Sequence, residues 1–160
     1  MIKAMRQATE NDLEDVKKLL EDAQLSTVGV GKSIDNFVMI ENDDKQFVGT
    51  VGMEVNGQIG LLRSFVIQPP INETDLLMLF QQVFQLALKK KLSTIYLATN
   101  KQTLQHLLET VGFTNISVQE ALDDLQTFSY GKELLAAKNV HFMRISLSDR
   151  SSARASIIEC

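Results

Sequence analysis

Ile59-Gly60-Leu61-Leu62-Arg63-Ser64-Phe65-Val66-Ile67-Gln68-Pro69-Pro70-Ile71-Asn72-Glu73-Thr74-Asp75-Leu76-Leu77 reads as a strand, a sharp turn and the start of a helix. Leu61, Phe65 and Ile67 share one face of the strand and Leu62 and Val66 the other, as in a strand covered on both sides. The two prolines end it, because proline has no N–H to give to a ladder. The helix runs on to Lys91. Leu76, Leu79, Phe80, Val83 and Ala87 form one stripe, which Leu77, Phe84 and Leu88 widen. A helix this apolar packs onto a sheet. Its first N–H groups and positive dipole end point beyond the strand, where an anion is well placed. Yet the turn contains no glycine and carries Glu73 and Asp75.

Upstream, Phe47 to Val55 alternates with the period of a strand, and Asn56–Gly57 is a favoured hairpin turn. Residues 47–55 and 58–67 are therefore expected to pair as an antiparallel hairpin. Ile2 to Ala8 and Asn36 to Ile40 read as shorter strands. Thr9 with Asp12 forms a capping box that opens a helix over 10–24, with Leu13, Val16, Leu20 and Ala23 inward. Residues 25–36 form a polar loop. It contains Gly31–Lys32–Ser33, which ends like a phosphate loop, but Ser26 stands where that pattern needs a glycine. Downstream, Ser93 to Thr99 is a strand, and a helix joining two strands of one sheet implies a parallel crossover. Asn100 opens the next helix, which Gly112 and Phe113 end. Phe113 to Val118 is a further short strand, 119–138 short helices or ordered loop, and Val140 to Leu147 the last strand.

The chain has 160 residues, 44% of them hydrophobic, and a net charge of −4, which suits one globular domain over 1–147. Residues 148–160 have the composition of a flexible tail. Basic residues cluster only at Lys89–Lys90–Lys91, where they complement a helix end, so nucleic acid is not an expected partner. The single cysteine, Cys160, excludes an internal disulfide, and His106 and His141 alone do not make a metal site. The opening residues lack the apolar run of a signal peptide, and no stretch is long enough to span a bilayer. The expectation is a cytoplasmic protein with no membrane partner.

The order of elements, the hairpin, the strand–turn–helix unit and the ending Val111–Gly112–Phe113 together resemble the GNAT superfamily of acyl-CoA N-acyltransferases. The resemblance covers about residues 2–147. Leu61 to Ile67 followed by Pro69 is similar to the central strand and its exit. Thr99–Asn100 and Leu107 to Phe113 are similar to the later strand and helix. Segment 119–138 is similar to that of amino-acid and arsenic-resistance-type acetyltransferases.

The resemblance implies a mixed α/β fold, with a twisted, mostly antiparallel sheet and helices on both faces. It implies acetyl-CoA as co-substrate and acetyl transfer to the amine of a small molecule, and it is compatible with a homodimer. The main chain of Phe65, Val66 and Ile67 would face the pantetheine arm, with an N–H near Val66 polarising the thioester. Asn72, Glu73, Thr74, Asp75, Leu76 and Leu77 would occupy the pyrophosphate loop, with Asn100 also on the cofactor side. Glu73, Asp75 and Leu77 stand where the family's glycines are usual, and Asn72 where a basic residue is usual. A carboxylate ~5–6 Å from a phosphate charge is repelled by roughly 1–3 kcal/mol at an effective dielectric of ~20–80. Leu108 takes the place of the tyrosine that protonates the leaving thiolate in many members, while Tyr96 and Tyr130 lie elsewhere. Glu54, with Glu41 behind it, is the candidate general base. The alternative is a catalytically silent binding or regulatory module that has lost normal acetyl-CoA binding.

Overall fold

Alternating and helical hydrophobic runs resolve into seven strands and five α-helices in the computed structural model, which describes residues 2–68 and 72–147. The expected tail, 148–160, and residues 69–71 lie outside the described residues. The strands are β1 (Ile2–Gln7), β2 (Val38–Asn42), β3 (Phe47–Asn56), β4 (Ile59–Ile67), β5 (Thr94–Thr99), β6 (Thr114–Ile116) and β7 (His141–Ser146). The helices are α1 (Leu13–Asp22), α2 (Glu73–Lys89), α3 (Gln102–Thr110), α4 (Val118–Leu125) and α5 (Ser129–Ala136). One mostly antiparallel sheet has the order β1-β2-β3-β4-β5-β7-β6. The contacts divide the chain into two units, Met1–Val55 with Leu62–Leu86 and Asn56–Leu61 with Ala87–Cys160, and β4 supplies residues to both.

In the first unit, β1 pairs antiparallel with β2 from Ile2↔Asn42 to Gln7↔Val38, and β2 with β3 from Val38↔Val51 to Glu41↔Phe47. Val16, Leu19 and Leu20 of α1 pack with Val30, Ile34, Phe37 and Met39. Each such side chain contributes roughly 1.5–3 kcal/mol when fully buried. The apolar stripe of α2 is inward as expected at Leu79, Phe80, Val83 and Phe84, all buried, whereas Leu88, expected to widen it, is exposed. Phe65 of β4 stacks on Phe80 at 6.2 Å between ring centres, and this fixes α2 against the outer half of β4. Three features differ from the sequence expectation. A 3-10 turn, Glu10–Asp12, precedes α1, and a second, Gly31–Asn36, occupies most of the expected loop. Gly31–Lys32–Ser33 thus sits in a 3-10 turn with no strand before it, which removes the phosphate-loop reading. Ser64 adopts φ 60°, which interrupts the alternation of β4 and leaves Arg63 and Ser64 both buried.

In the second unit, the turn into β4 lies at Gly57–Gln58, one residue later than expected, with Gly57 at φ 62°. One positive φ at the first turn position is what glycine allows, so Asn56 stays in β3. The parallel crossover is present. Its register is Ile59↔Thr94, Gly60↔Ile95 and Leu61↔Tyr96, and Leu62–Ile67 lie beyond it. β5 pairs antiparallel with β7 along its whole length, and β7 with β6. Helix α3 starts at Gln102 rather than at Asn100, because Thr99 Oγ1 accepts from the Lys101 N–H and turns the chain first. Leu61, Tyr96, Ala121, Leu125, Phe128 and Phe142 form this unit's core.

Candidate functional site

The outer half of β4 carries Phe65, Val66 and Ile67, the start of α2 carries the expected loop residues and β3 carries Glu54, and all the expected site residues except Asn100 fall within the first unit. Their geometry starts from Arg63, a charged residue facing inward in an otherwise apolar strand. A buried guanidinium needs partners for its donors. Its side chain is 0% exposed, and each of its three nitrogens is hydrogen-bonded. Nε donates to Ser64 Oγ at 2.8 Å. Nη1 donates to Glu54 Oε2 at 2.9 Å and to the carbonyl of Val28. Nη2 donates to the carbonyl of Ser26 at 2.9 Å.

Glu54, the candidate base, is therefore half of an ion pair, and its side chain is 14% exposed. Its other oxygen, Oε1, faces the loop after α1. A Cβ placed on Gly29 would lie 3.9 Å from Oε1 and 3.7 Å from Arg63 Nη1. Gly29 has φ 77°, and its bare backbone lets the loop cross the pair at this distance. Glu41 is elsewhere. It pairs with Phe47 on β3, seven residues from Glu54, about 23 Å at a strand's rise, and its carboxylate is taken by Arg6 Nε at 3.1 Å.

Of the three residues expected to face pantetheine, Phe65, Val66 and Ile67 are all half-buried. The Val66 carbonyl oxygen lies against β3, where a Cβ on Gly49 would meet it at 2.5 Å, and the Gln68 N–H donates to the Val48 carbonyl at 2.8 Å. Main-chain groups alternate along a strand. Those of Phe65 and Ile67 therefore turn away from β3.

The helix start is self-capped. Asn72 Oδ1 accepts from the Asp75 N–H at 2.7 Å, and the Asn72 carbonyl from the Leu76 N–H at 3.1 Å. Glu73 and Asp75 occupy the first turn, where their charge complements the dipole. Asn72, Glu73 and Thr74 are exposed, while Asp75, Leu76 and Leu77 are half-buried. One of the N–H groups that would otherwise meet an anion is already bonded, and two carboxylates stand beside the rest.

In the second unit, Asn100 is exposed after β5. Leu108 is buried on α3, so an apolar side chain fills that position. The Tyr96 hydroxyl donates to Asp124 Oδ2, and Arg144 lies 6.0 Å over its ring. Burial first, then the bond to Asp124, raises the Tyr96 pKa. A phenol so held is a structural link from β5 to α4 rather than a ready acid. Grooves of about 350 Å³ beside Asp15, Lys18 and Gln68, and about 240 Å³ beside Gln105 and His141, contain none of the expected site residues. Among the described residues no cluster of His, Cys, Asp and Glu is placed to hold a metal ion, and no helix is long and apolar enough to cross a membrane. Sequence reading missed Arg63. The available signal was a lone charge within an apolar strand, which demands a buried partner.

No family model matches the chain. It is 32% identical over 124 residues to the uncharacterized protein YwlB of Bacillus subtilis (strain 168), across 76% of this chain and 84% of YwlB. Among solved structures, N-acetylglutamate synthase from Neisseria gonorrhoeae, complexed with coenzyme A and N-acetyl-glutamate, superposes with a TM-score of 0.68 at 16% identity. That match covers 92% of this chain, which spans only 35% of the synthase. Mutant forms of the spermidine/spermine N-acetyltransferase SpeG from Vibrio cholerae match with a TM-score of 0.66 at 17% identity, over 94% of this chain and 97% of theirs. An acetyltransferase of the GNAT family from Staphylococcus aureus Mu50 matches with a TM-score of 0.64 at 13% identity, over 92% and 99%. The chain therefore belongs to the family of the Bacillus subtilis protein YwlB, and its fold is that of the GNAT superfamily.

Proposed function

We propose that this protein is an acyl-CoA-dependent N-acyltransferase that moves an acetyl group from acetyl-CoA to the amine of a small molecule. The observation that carries the reading is the placement, within one unit, of a half-buried carboxylate at Glu54 and of the outward main-chain groups of Phe65 and Ile67. The solved structures with this fold include a synthase bound to coenzyme A and an acetyltransferase named for polyamines, which supports the substrate classes.

The fit to acetyl-CoA differs along its length. Phe65 and Ile67 offer N–H and C=O groups of the kind that pair with the amides of a pantetheine arm. The start of α2 suits a diphosphate poorly, because Asn72 caps it and Glu73 and Asp75 repel the charge. Binding is thus carried by the pantetheine end and weakened at the diphosphate end. Acetyl-CoA supplies an activated thioester, and the protein supplies position and a route for the amine's proton. Glu54 Oε1, the neighbour of the oxygen that Arg63 Nη1 bonds, takes that proton. With Leu108 where a tyrosine is usual, the thiolate leaves without a phenolic donor at that position.

The test is thiol release from acetyl-CoA against a panel of small amines. The expected result is amine-dependent release that Glu54→Gln lowers by about 100-fold in kcat. Release unaffected by Glu54→Gln would remove Glu54 from the reaction.

A further inference from the structure

Arg63 does more than balance one charge. Its two terminal nitrogens reach three acceptors in two segments far apart in sequence: Glu54 on β3, and the carbonyls of Ser26 and Val28 in the loop after α1. Val28 is fastened at both ends of its backbone unit, since its N–H donates to Ser26 Oγ at 3.2 Å while its carbonyl accepts from Arg63. The residue nevertheless stays 51% exposed. Core burial resumes only at Val30, whose N–H donates to the Thr27 carbonyl at 3.3 Å, so residues 26–29 are held by hydrogen bonds, and those of the guanidinium are the ones that tie them to β3 and β4. Nη1 is shared by the Val28 carbonyl and Glu54 Oε2, which ties the loop backbone and the carboxylate to a single nitrogen.

We propose that Arg63 is a positioning residue that locks loop residues 26–29 and the Glu54 carboxylate into one arrangement, so that neither moves without the other. This rests on the acyltransferase reading for its consequence, the aim of Oε1, but not for the lock itself. A planar guanidinium is required. A lysine at 63 keeps the positive charge for Glu54, but its three donors sit on one nitrogen and lack the planar fork with which Nη1 and Nη2 reach the Val28 and Ser26 carbonyls from separate positions.

Hydrogen exchange of the full-length protein, wild type and Arg63→Lys, decides the point. Loss of a charge-assisted bond to the loop backbone is expected to speed exchange of the Val28 and Val30 amides by about tenfold or more, while the β2 amides stay protected. Added guanidinium chloride at millimolar concentration is expected to restore part of the protection in Arg63→Ala, as a purely space-filling role would not. Where Arg63→Lys does not fold, Glu54→Gln provides the second arm. It keeps an acceptor for Nη1 but removes the charge, and is expected to speed exchange at Val28 by a smaller factor. Unchanged loop exchange in Arg63→Lys, or in Glu54→Gln where Arg63→Lys does not fold, overturns the lock, even if the wild type transfers acetyl groups. Faster loop exchange in an enzyme without transferase activity leaves the lock standing and removes the acyltransferase reading instead.

Discussion

Glu54 Oε2 accepts a hydrogen bond from Arg63 Nη1 at 2.9 Å, and the arginine side chain that donates it is wholly buried. Removing one member of such a pair strands the other in a poor solvent, at a cost of about 3 kcal/mol or more. Arg63→Met is therefore expected to lower the urea midpoint strongly, because it also strips partners from two loop carbonyls. The double variant Glu54→Leu with Arg63→Met removes both charges and is expected to be more stable than Arg63→Met alone, yet inactive. Equal stability of the single and double variants would show that the two side chains do not depend on each other.

The acidic start of α2 predicts a charge-reversible weakness in cofactor binding. Glu73→Gln with Asp75→Asn leaves the helix and the Asn72 cap in place and removes two negative charges. Affinity for coenzyme A is expected to rise by about tenfold or more at low salt, and the gain to shrink as salt is added. Affinity that does not change would show that the two carboxylates lie out of range of the diphosphate.

Acid stability depends on another pair in the first unit. Asp12 receives two bonds from Arg6, at 2.8 and 3.0 Å, and one from the Thr9 N–H at 2.8 Å. The bond from Arg6 first, against the opposing effect of burial, lowers the Asp12 carboxyl to about 2 from 3.8. The folded value lies below the unfolded one. The stabilisation is thus complete above pH about 4 and is lost as pH falls toward 2, up to about 2 kcal/mol in all. Asp12→Asn is expected to lose that amount at neutral pH and to flatten the stability profile between pH 4 and 2. Denaturant titrations across that range measure both.

Tyr96 provides a test of the structural reading in the second unit. Tyr96→Phe removes the donor to Asp124 and is expected to cost about 1–2 kcal/mol of stability while leaving acetyl transfer intact. A large loss of kcat in a folded Tyr96→Phe protein would instead make the phenol a proton donor.

The elements most legible in the sequence are those whose signals are local. Phe47 to Ile67 shows its hairpin through alternation and a glycine turn, and Leu76 to Ala87 shows its buried face through helical spacing. The order of these elements, with the Gly112–Phe113 ending, is enough to identify the fold. Asn72 is likewise readable as a cap, because its partner lies three residues away. Less legible are features set by distant contacts. Arg63 bonds to Ser26 and Val28 from 37 and 35 residues away, and no local pattern announces that. The positive φ of Ser64 follows from the strand's tertiary setting, so period-two counting runs through it unaware. The start of α3 shifts from Asn100 to Gln102 because Thr99, buried at the end of β5, takes the Lys101 N–H first.

Calorimetric titration of the full-length protein with acetyl-CoA bears most directly on its function. The proposed pairing of the Phe65 and Ile67 main chain with pantetheine, set against the acidic helix start, predicts saturable binding near 1:1 with a dissociation constant of about 10–1000 μM. No heat and no thermal shift at millimolar acetyl-CoA would contradict acyl transfer and leave a GNAT-fold module that binds without this chemistry.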